Sequence, residues 1–115
     1  MQVQHLNMVA LAELKEVMED DFALLIETYI NDSLKRVEDI ADAFQQADSS
    51  RLSKAAHSLK GSCSNVGAVC LYEMCKDIEI FAKNNQLADA EPLVKGLAAE
   101  LSHVQALFAE LAVKD

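Results

Sequence analysis

The chain has 115 residues, a net charge of -9 and a hydrophobic fraction of 51%. This length suits one domain with a modest core, and this hydrophobic fraction excludes a disordered protein. The acidic balance argues against a nucleic-acid binder, because such proteins carry basic surfaces. The chain has only one proline and three glycines, the residues that favour the tight turns between strands of a sheet. We therefore predict a single all-α domain over residues 1–115.

The N-terminal part of the chain predicts a short helix followed by a long one. Asn7 is a suitable cap for the first helix, in which apolar residues recur every three or four positions between 11 and 18. Acidic residues at 19–21 then interrupt this pattern and suit a helix start. Apolar residues recur again at helical spacing over 22–44, which predicts a second helix that ends near Ala47.

The remainder of the chain predicts three more helices. Ser49 or Ser50 would cap the third helix, and Gly67 would end it as a left-handed C-cap. The fourth helix spans roughly 69–83, and a polar connection leads to the last helix, whose first turn suits Pro92. The short connections predict an antiparallel up-down four-helix bundle with a short extra N-terminal helix.

One histidine of the third helix lies away from its apolar face, among small residues. At about 100° per residue, His57 falls about 140° from Leu52 and Gly61 about 180° from it. Lys60 falls about 80° from Leu52, between the apolar face and the histidine. A glycine inside a helix costs about 1 kcal/mol relative to alanine. Close approach by another backbone or by a bulky partner would explain Gly61; the alternative is a C-cap, a role that suits Gly67 better.

This segment resembles the histidine phosphotransfer (Hpt) domain, the relay module of multistep two-component signalling. The family signature is a histidine, an apolar residue two positions later, Lys-Gly, and then an apolar-Gly pair. In this chain these residues are His57, Leu59, Lys60, Gly61, Val66 and Gly67. Because the chain starts with Met1 and has no kinase or receiver segment, we expect a stand-alone bacterial protein of this type.

The resemblance implies a phosphorelay intermediate. His57 would accept a phosphoryl group at Nε2 from a receiver-domain aspartyl-phosphate, often that of a hybrid sensor kinase. It would then pass the group to the aspartate of a response regulator, and Lys60 would stabilise the charge of the phosphoryl oxygens. We expect a phosphoryl carrier without autokinase activity, because no ATP-binding pattern is present. We also expect no bound cofactor, since the receiver supplies Mg²⁺.

Glu79 departs from the family pattern. Many members have a glutamine at this offset from the histidine, where it hydrogen-bonds the ring. A carboxylate that accepts from Nδ1–H would fix the tautomer and leave Nε2 nucleophilic. It would also favour the protonated ring, which is not a nucleophile. The alternative is a glutamate that faces solvent, and both interpretations stay open.

Small and polar residues around the histidine are candidates for receiver docking. They are Ser53, Lys54, Gly61, Ser64 and Asn65. Each is also a typical solvated position of a helix surface. The family's docking surface is largely apolar and includes the first helices, so we expect exposed apolar residues around 11–18.

Two alternative functions stay open. A helical adaptor would bind receivers without carrying phosphate, and it would tolerate His57→Gln with signalling intact. A homodimeric phosphotransferase would leave a long apolar seam uncovered, whereas four helices are enough to enclose one core. We therefore expect a monomer.

The other reactive residues suggest no second site. The cysteines at 63, 70 and 75 form no C-x-x-C pair, which predicts buried free thiols in a reducing compartment. His5 is near a terminus, where disorder is common, and we expect His103 to be structural. No ligand set has metal spacing. With no apolar run of about 18 residues and no signal peptide, we expect a cytoplasmic protein that does not enter a membrane.

Overall fold

The computed structural model describes residues 6–113, with side chains up to position 110, and this part of the chain is helical almost throughout. Its helices are α1 (Met8–Met18), α2 (Phe22–Gln45), α3 (Ser49–Val66), α4 (Val69–Lys83) and α5 (Leu87–Val113). A short 3-10 helix at Glu19–Asp21 joins α1 to α2. The described residues contain no strand, so the all-α prediction is confirmed.

The four long helices form the bundle. α3 packs against both α2 and α4, and α5 packs against the same two helices from the other side. The short α1 contacts α2 and α3. This arrangement confirms the predicted four-helix bundle with an extra N-terminal helix. It leaves one face of each long helix open to solvent.

Apolar residues on the inner face of each long helix form the core. On α3 the fully buried residues recur at spacings of three and four, at Leu52, Ala56, Leu59 and Cys63. Burial of one leucine side chain contributes about 1.5–3 kcal/mol. Because these anchors extend along most of α3, its outer face is held in a fixed orientation.

An aspartate, and not a serine, caps the start of α3. The Asp48 side chain accepts a hydrogen bond from the backbone N–H of Arg51 at 3.0 Å, and the helix begins at Ser49. The predicted cap at Ser49 or Ser50 is therefore wrong. Aspartate caps as well as serine does and adds a negative charge where the helix dipole favours one. α2 ends two residues before the predicted Ala47, which has a left-handed φ of 55°.

Gly67 ends α3, as its position in the sequence predicts. It has a left-handed φ of 69°, and its N–H bonds back to the last turn of the helix. Its carbonyl accepts a 2.7 Å hydrogen bond from the backbone N–H of Asn7. The Asn7 side chain in turn caps α1 by accepting from Ala10 at 3.1 Å. The start of α1 is therefore attached to the end of α3.

α5 begins before the turn that contains its proline. The expected position of Pro92 in the first turn is wrong, because the helix starts at Leu87. Leu87 packs against the core and Ala90 is fully buried, so the apolar face already begins there. Pro92 has no N–H to bond the carbonyl of Ala88, and the burial of this extra turn offsets that loss. None of the helices in the described range is long and apolar enough to cross a membrane.

Candidate functional site

His57 lies on the solvent-facing side of α3. Its neighbours Ala56 and Leu59 are fully buried, whereas 67% of the His57 side chain is exposed. Gly61 and Ser64, one and two turns further along, are exposed as well. The core anchors of α3 therefore present an imidazole ring on an open strip of small residues.

Glu79 of α4 reaches across to this ring. Its Oε2 lies 3.0 Å from Nδ1 of His57, and only 7% of the Glu79 side chain is exposed. Of the two interpretations that the sequence leaves open, the structure has the contact and not the solvent-facing glutamate. Since a carboxylate only accepts, the neutral ring donates from Nδ1. The lone pair is then on Nε2, the nitrogen that Glu79 does not contact.

Two lysines complete the surroundings of this carboxylate. Nζ of Lys60 lies 2.8 Å from Oε1, and Nζ of Lys83 lies 3.1 Å from Oε2. Burial raises the pKa of the Glu79 carboxyl, but hydrogen bonds from Lys60, Lys83 and His57 outweigh this effect and lower the pKa to about 2. Glu79 is therefore ionised at neutral pH, and its charge is shared among three donors.

Lys60 is bound to Glu79 and does not extend freely into solvent. Only 23% of its side chain is exposed, and the hydrogen bond to Glu79 raises the pKa of its ammonium. Lys60 and His57 bind different oxygens of one carboxylate, so the ammonium lies beside the ring. The structure thus brings together His57, Lys60 and Glu79. Lys83 was not predicted from the sequence, although its position four residues after Glu79 on α4 was the available signal.

The five docking candidates lie around the ring with different exposure. Lys54, Gly61, Ser64 and Asn65 are exposed, and Ser53 is half-buried. A Cβ added to Gly61 would meet nothing within 4 Å, so the fold itself does not require this glycine.

A surface groove between α2 and α3 lies next to these residues. Arg36, Arg51, Lys54 and Ser58 contribute to its lining. Arg51 forms ion pairs with Asp39 and Asp42, and Arg36 forms one with Asp32. Both arginines that line the groove are therefore paired with carboxylates of the same chain.

Exposed apolar side chains occur on α1, as expected. In the predicted region of α1, Val17 is 79% exposed, whereas Leu11 is buried. The others are Met8, Val9, Leu24, Leu34 and Ile80. Most of these lie on α1 and on the first turn of α2, and both helices contact α3.

The remaining candidates form no second centre in the part of the chain that the structure describes. No group of three or more His, Cys, Asp or Glu residues there could hold a metal ion. His103 is exposed, 3.7 Å from Glu100 on the same helix, and His5 lies outside the described residues. Cys63 and Cys75 are buried free thiols as predicted, but Cys70 is only half-buried.

Comparison with known proteins shows the family of the chain. The model of the Hpt domain family matches residues 24–107, which is more than half of the chain. The chain belongs to the Hpt domain family. As an Hpt domain it has a histidine phosphotransfer role in two-component phosphorelay. Hpt domains interact with the receiver domains of kinases and response regulators.

A solved structure is similar over nearly the whole Hpt chain. It is the crystal structure of histidine-containing phosphotransfer protein B (HptB) from Pseudomonas aeruginosa PAO1. The two chains are 38% identical, 95% of each is covered, and the TM-score is 0.89. No curated protein matches the sequence. His57, Lys60 and Glu79 all lie within the range that the family model matches, whereas α1 precedes it.

Proposed function

We propose that His57 is the phosphoryl acceptor of this Hpt domain. It receives the group from the aspartyl-phosphate of a receiver domain, such as that of a hybrid sensor kinase, and transfers it to the aspartate of a response regulator. One observation carries this proposal: the ring is exposed while its Nδ1 is bound to a buried carboxylate. That geometry leaves Nε2 as an unprotonated nucleophile facing solvent.

The transfer step balances without an external base. The lone pair of Nε2 forms a bond to phosphorus while the bond from phosphorus to the aspartate oxygen breaks, and the electron pair of that bond leaves with the carboxylate. Nδ1 keeps its proton throughout. The positive charge that develops on the ring lies 3.0 Å from the Glu79 carboxylate, which stabilises it. The second transfer is the reverse of this step on another receiver.

The groups around the ring support both reactions. Lys60 neutralises charge on the phosphoryl oxygens, since phosphoryl transfer depends mainly on positioning and electrostatic stabilisation. The receiver supplies the Mg²⁺ that these oxygens also require. Ser53, Lys54, Ser64 and Asn65 contact the receiver around the ring, and Gly61 leaves room for its loops.

The apolar residues on α1 and α2 extend the docking surface. Val17 and Leu24 are 79% and 63% exposed, and such side chains exclude water when a receiver covers them. The four long helices of one copy enclose the core, which supports a monomer as the working unit.

The test is phosphoryl transfer from a labelled receiver. The chain is incubated with a phosphorylated receiver domain and Mg²⁺, and the label on wild type is compared with that on His57→Gln. We expect a label on wild type that is labile in acid and stable in alkali, and no label on His57→Gln. His103→Gln is the matched control, because this second exposed histidine lies on α5, and it should label like wild type.

Label that persists on His57→Gln would contradict the proposal. So would a folded wild-type chain that takes no label from a panel of receivers, each of which phosphorylates a different Hpt domain in the same assay. Binding of a receiver without transfer would favour the helical adaptor instead.

A further inference from the structure

The Glu79 carboxylate also forms an ion pair with Lys83, a residue that has no part in the transfer chemistry above. Oε2 is shared between Nδ1 of His57 at 3.0 Å and Nζ of Lys83 at 3.1 Å, whereas Lys60 occupies the other oxygen. Oε2 therefore accepts from the ring nitrogen that carries the proton and also forms the ion pair with Lys83.

Folding stability alone does not account for this contact. The Lys83 side chain is 65% exposed, so solvent screens its attraction to the buried Glu79 carboxylate and limits what the pair adds to stability. Glu79 is buried, however, and without Lys83 its Oε2 would be held by the ring alone, so that more of its negative charge would favour a protonated ring. A protonated ring has no lone pair on Nε2 and cannot attack phosphorus.

We propose that Lys83 is a positioning residue for the phosphoryl acceptor. It holds the Glu79 carboxylate against Nδ1 of His57, and it offsets negative charge on that carboxylate that would otherwise favour protonation of the ring. This inference rests on the proposed function of His57. The carboxylate and its two lysines together carry one net positive charge, so the carboxylate attracts a proton onto the ring less strongly than it would without them.

The groups that face this cluster come from two helices. α3 contributes His57 and Lys60, and α4 contributes Glu79 and Lys83. Two more residues of α4 interact electrostatically with Lys60, namely Tyr72 and Cys75. A hydrogen bond with Cys63 and burial raise the pKa of the Cys75 thiol, so it stays neutral in the pH range of the test.

The test measures the ring and its reactivity separately, without a protein partner. Protonation of His57 is followed by ¹⁵N NMR of the full chain between pH 5 and 9. Its phosphorylation by phosphoramidate, a small phosphoryl donor, is followed over the same range. For Lys83→Met we expect the protonation midpoint to rise by about half a pH unit, the size of one partly exposed ion-pair interaction that the Glu79 carboxylate then no longer makes with Lys83. The phosphorylation rate should fall about two- to threefold near pH 6.5 and converge with wild type by pH 9.

Three further variants isolate the route through Glu79. Lys83→Arg keeps the charge and should restore the wild-type profile. In a Glu79→Gln background, Lys83→Met should move the midpoint by less than half as much, because no carboxylate is left to offset. Lys76→Met removes another exposed lysine of α4, one paired with Glu73, and should change neither readout.

Two results would overturn the inference. One is an unchanged midpoint and pH profile in Lys83→Met. The other is an equal shift on Lys83→Met in the wild-type and Glu79→Gln backgrounds, which would mean that Lys83 acts on the ring directly. In both cases phosphorylation of wild-type His57 would still support the relay. Failure of wild type to take phosphate, with His57 titrating normally, would count against the proposed function instead.

Discussion

Replacement of Gly61 separates an effect on folding stability from an effect on phosphoryl transfer from a receiver. Gly61 lies inside α3, is exposed, and a Cβ added to it meets nothing within 4 Å. With no clash to offset the gain, Gly61→Ala should stabilise the chain by about 0.5–1 kcal/mol, the ordinary cost of glycine in a helix interior. For a domain of this size, that corresponds to an increase in melting temperature of about 2–4 °C.

Gly61→Gln tests whether a larger side chain at this position blocks the approach of a receiver. Glutamine is a good helix former, so the variant should stay at least as stable as wild type. We expect transfer from a phosphorylated receiver to fall at least about tenfold, since 1.4 kcal/mol of steric cost in the complex suffices for that loss. Phosphorylation by phosphoramidate should change by less than about twofold, because a small donor does not need the cleared space.

Thermal and urea unfolding measure the first effect, and parallel labelling with the two donors measures the second. Ser102→Gln, at an exposed position of α5, is the control for adding glutamine to a helix surface. A lower melting temperature for Gly61→Ala would refute the argument that the fold has no use for this glycine. Normal transfer from the receiver to Gly61→Gln would refute the steric argument.

Two further predictions concern the fold and its pH dependence. Gly67→Ala should destabilise the chain by about 1–2 kcal/mol in urea unfolding, because φ is 69° and the added Cβ would lie 3.2 Å from Cβ of Asn7; equal stability would contradict this account of the C-cap. The Glu79 carboxyl has a pKa lowered to about 2, so it contributes stability that is present above its unfolded value near 4.5 and is lost as the pH falls towards 2. Glu79→Gln should therefore lose less stability than wild type between pH 4.5 and 2.5, and parallel urea curves would contradict this.

The bounds of the helices were largely predictable from local signals. The predicted and observed limits of α4 coincide at Val69 and Lys83, and Gly67 ends α3 as expected. The errors occurred where two local signals compete. Asp48 and the serines after it are all good caps, and Pro92 suits a first turn but is tolerated in the second because Ala90 is buried.

The site was predictable in its residues but not in its contacts. The position of His57 outside the apolar face follows from the helical period alone, and its 67% exposure agrees. The contact with Glu79 depends on how α3 and α4 pack, which single-helix geometry does not determine. Lys83 was missed for the same reason, because a lysine in the last turn of a helix is ordinary until its partner is known.

The bond between Glu79 and Nδ1 has a consequence for the direction of signalling. In the proposed transfer, phosphorylation at Nε2 would leave this bond in place, because the bond is made by the other nitrogen of the ring. The loaded and empty forms of the carrier can therefore share one geometry, and neither transfer has to wait for a rearrangement of the bundle. The contact between Glu79 and the ring would then favour neither donor nor acceptor. The direction of flow is then set by the relative free energies of the two aspartyl-phosphates, which belong to the receivers.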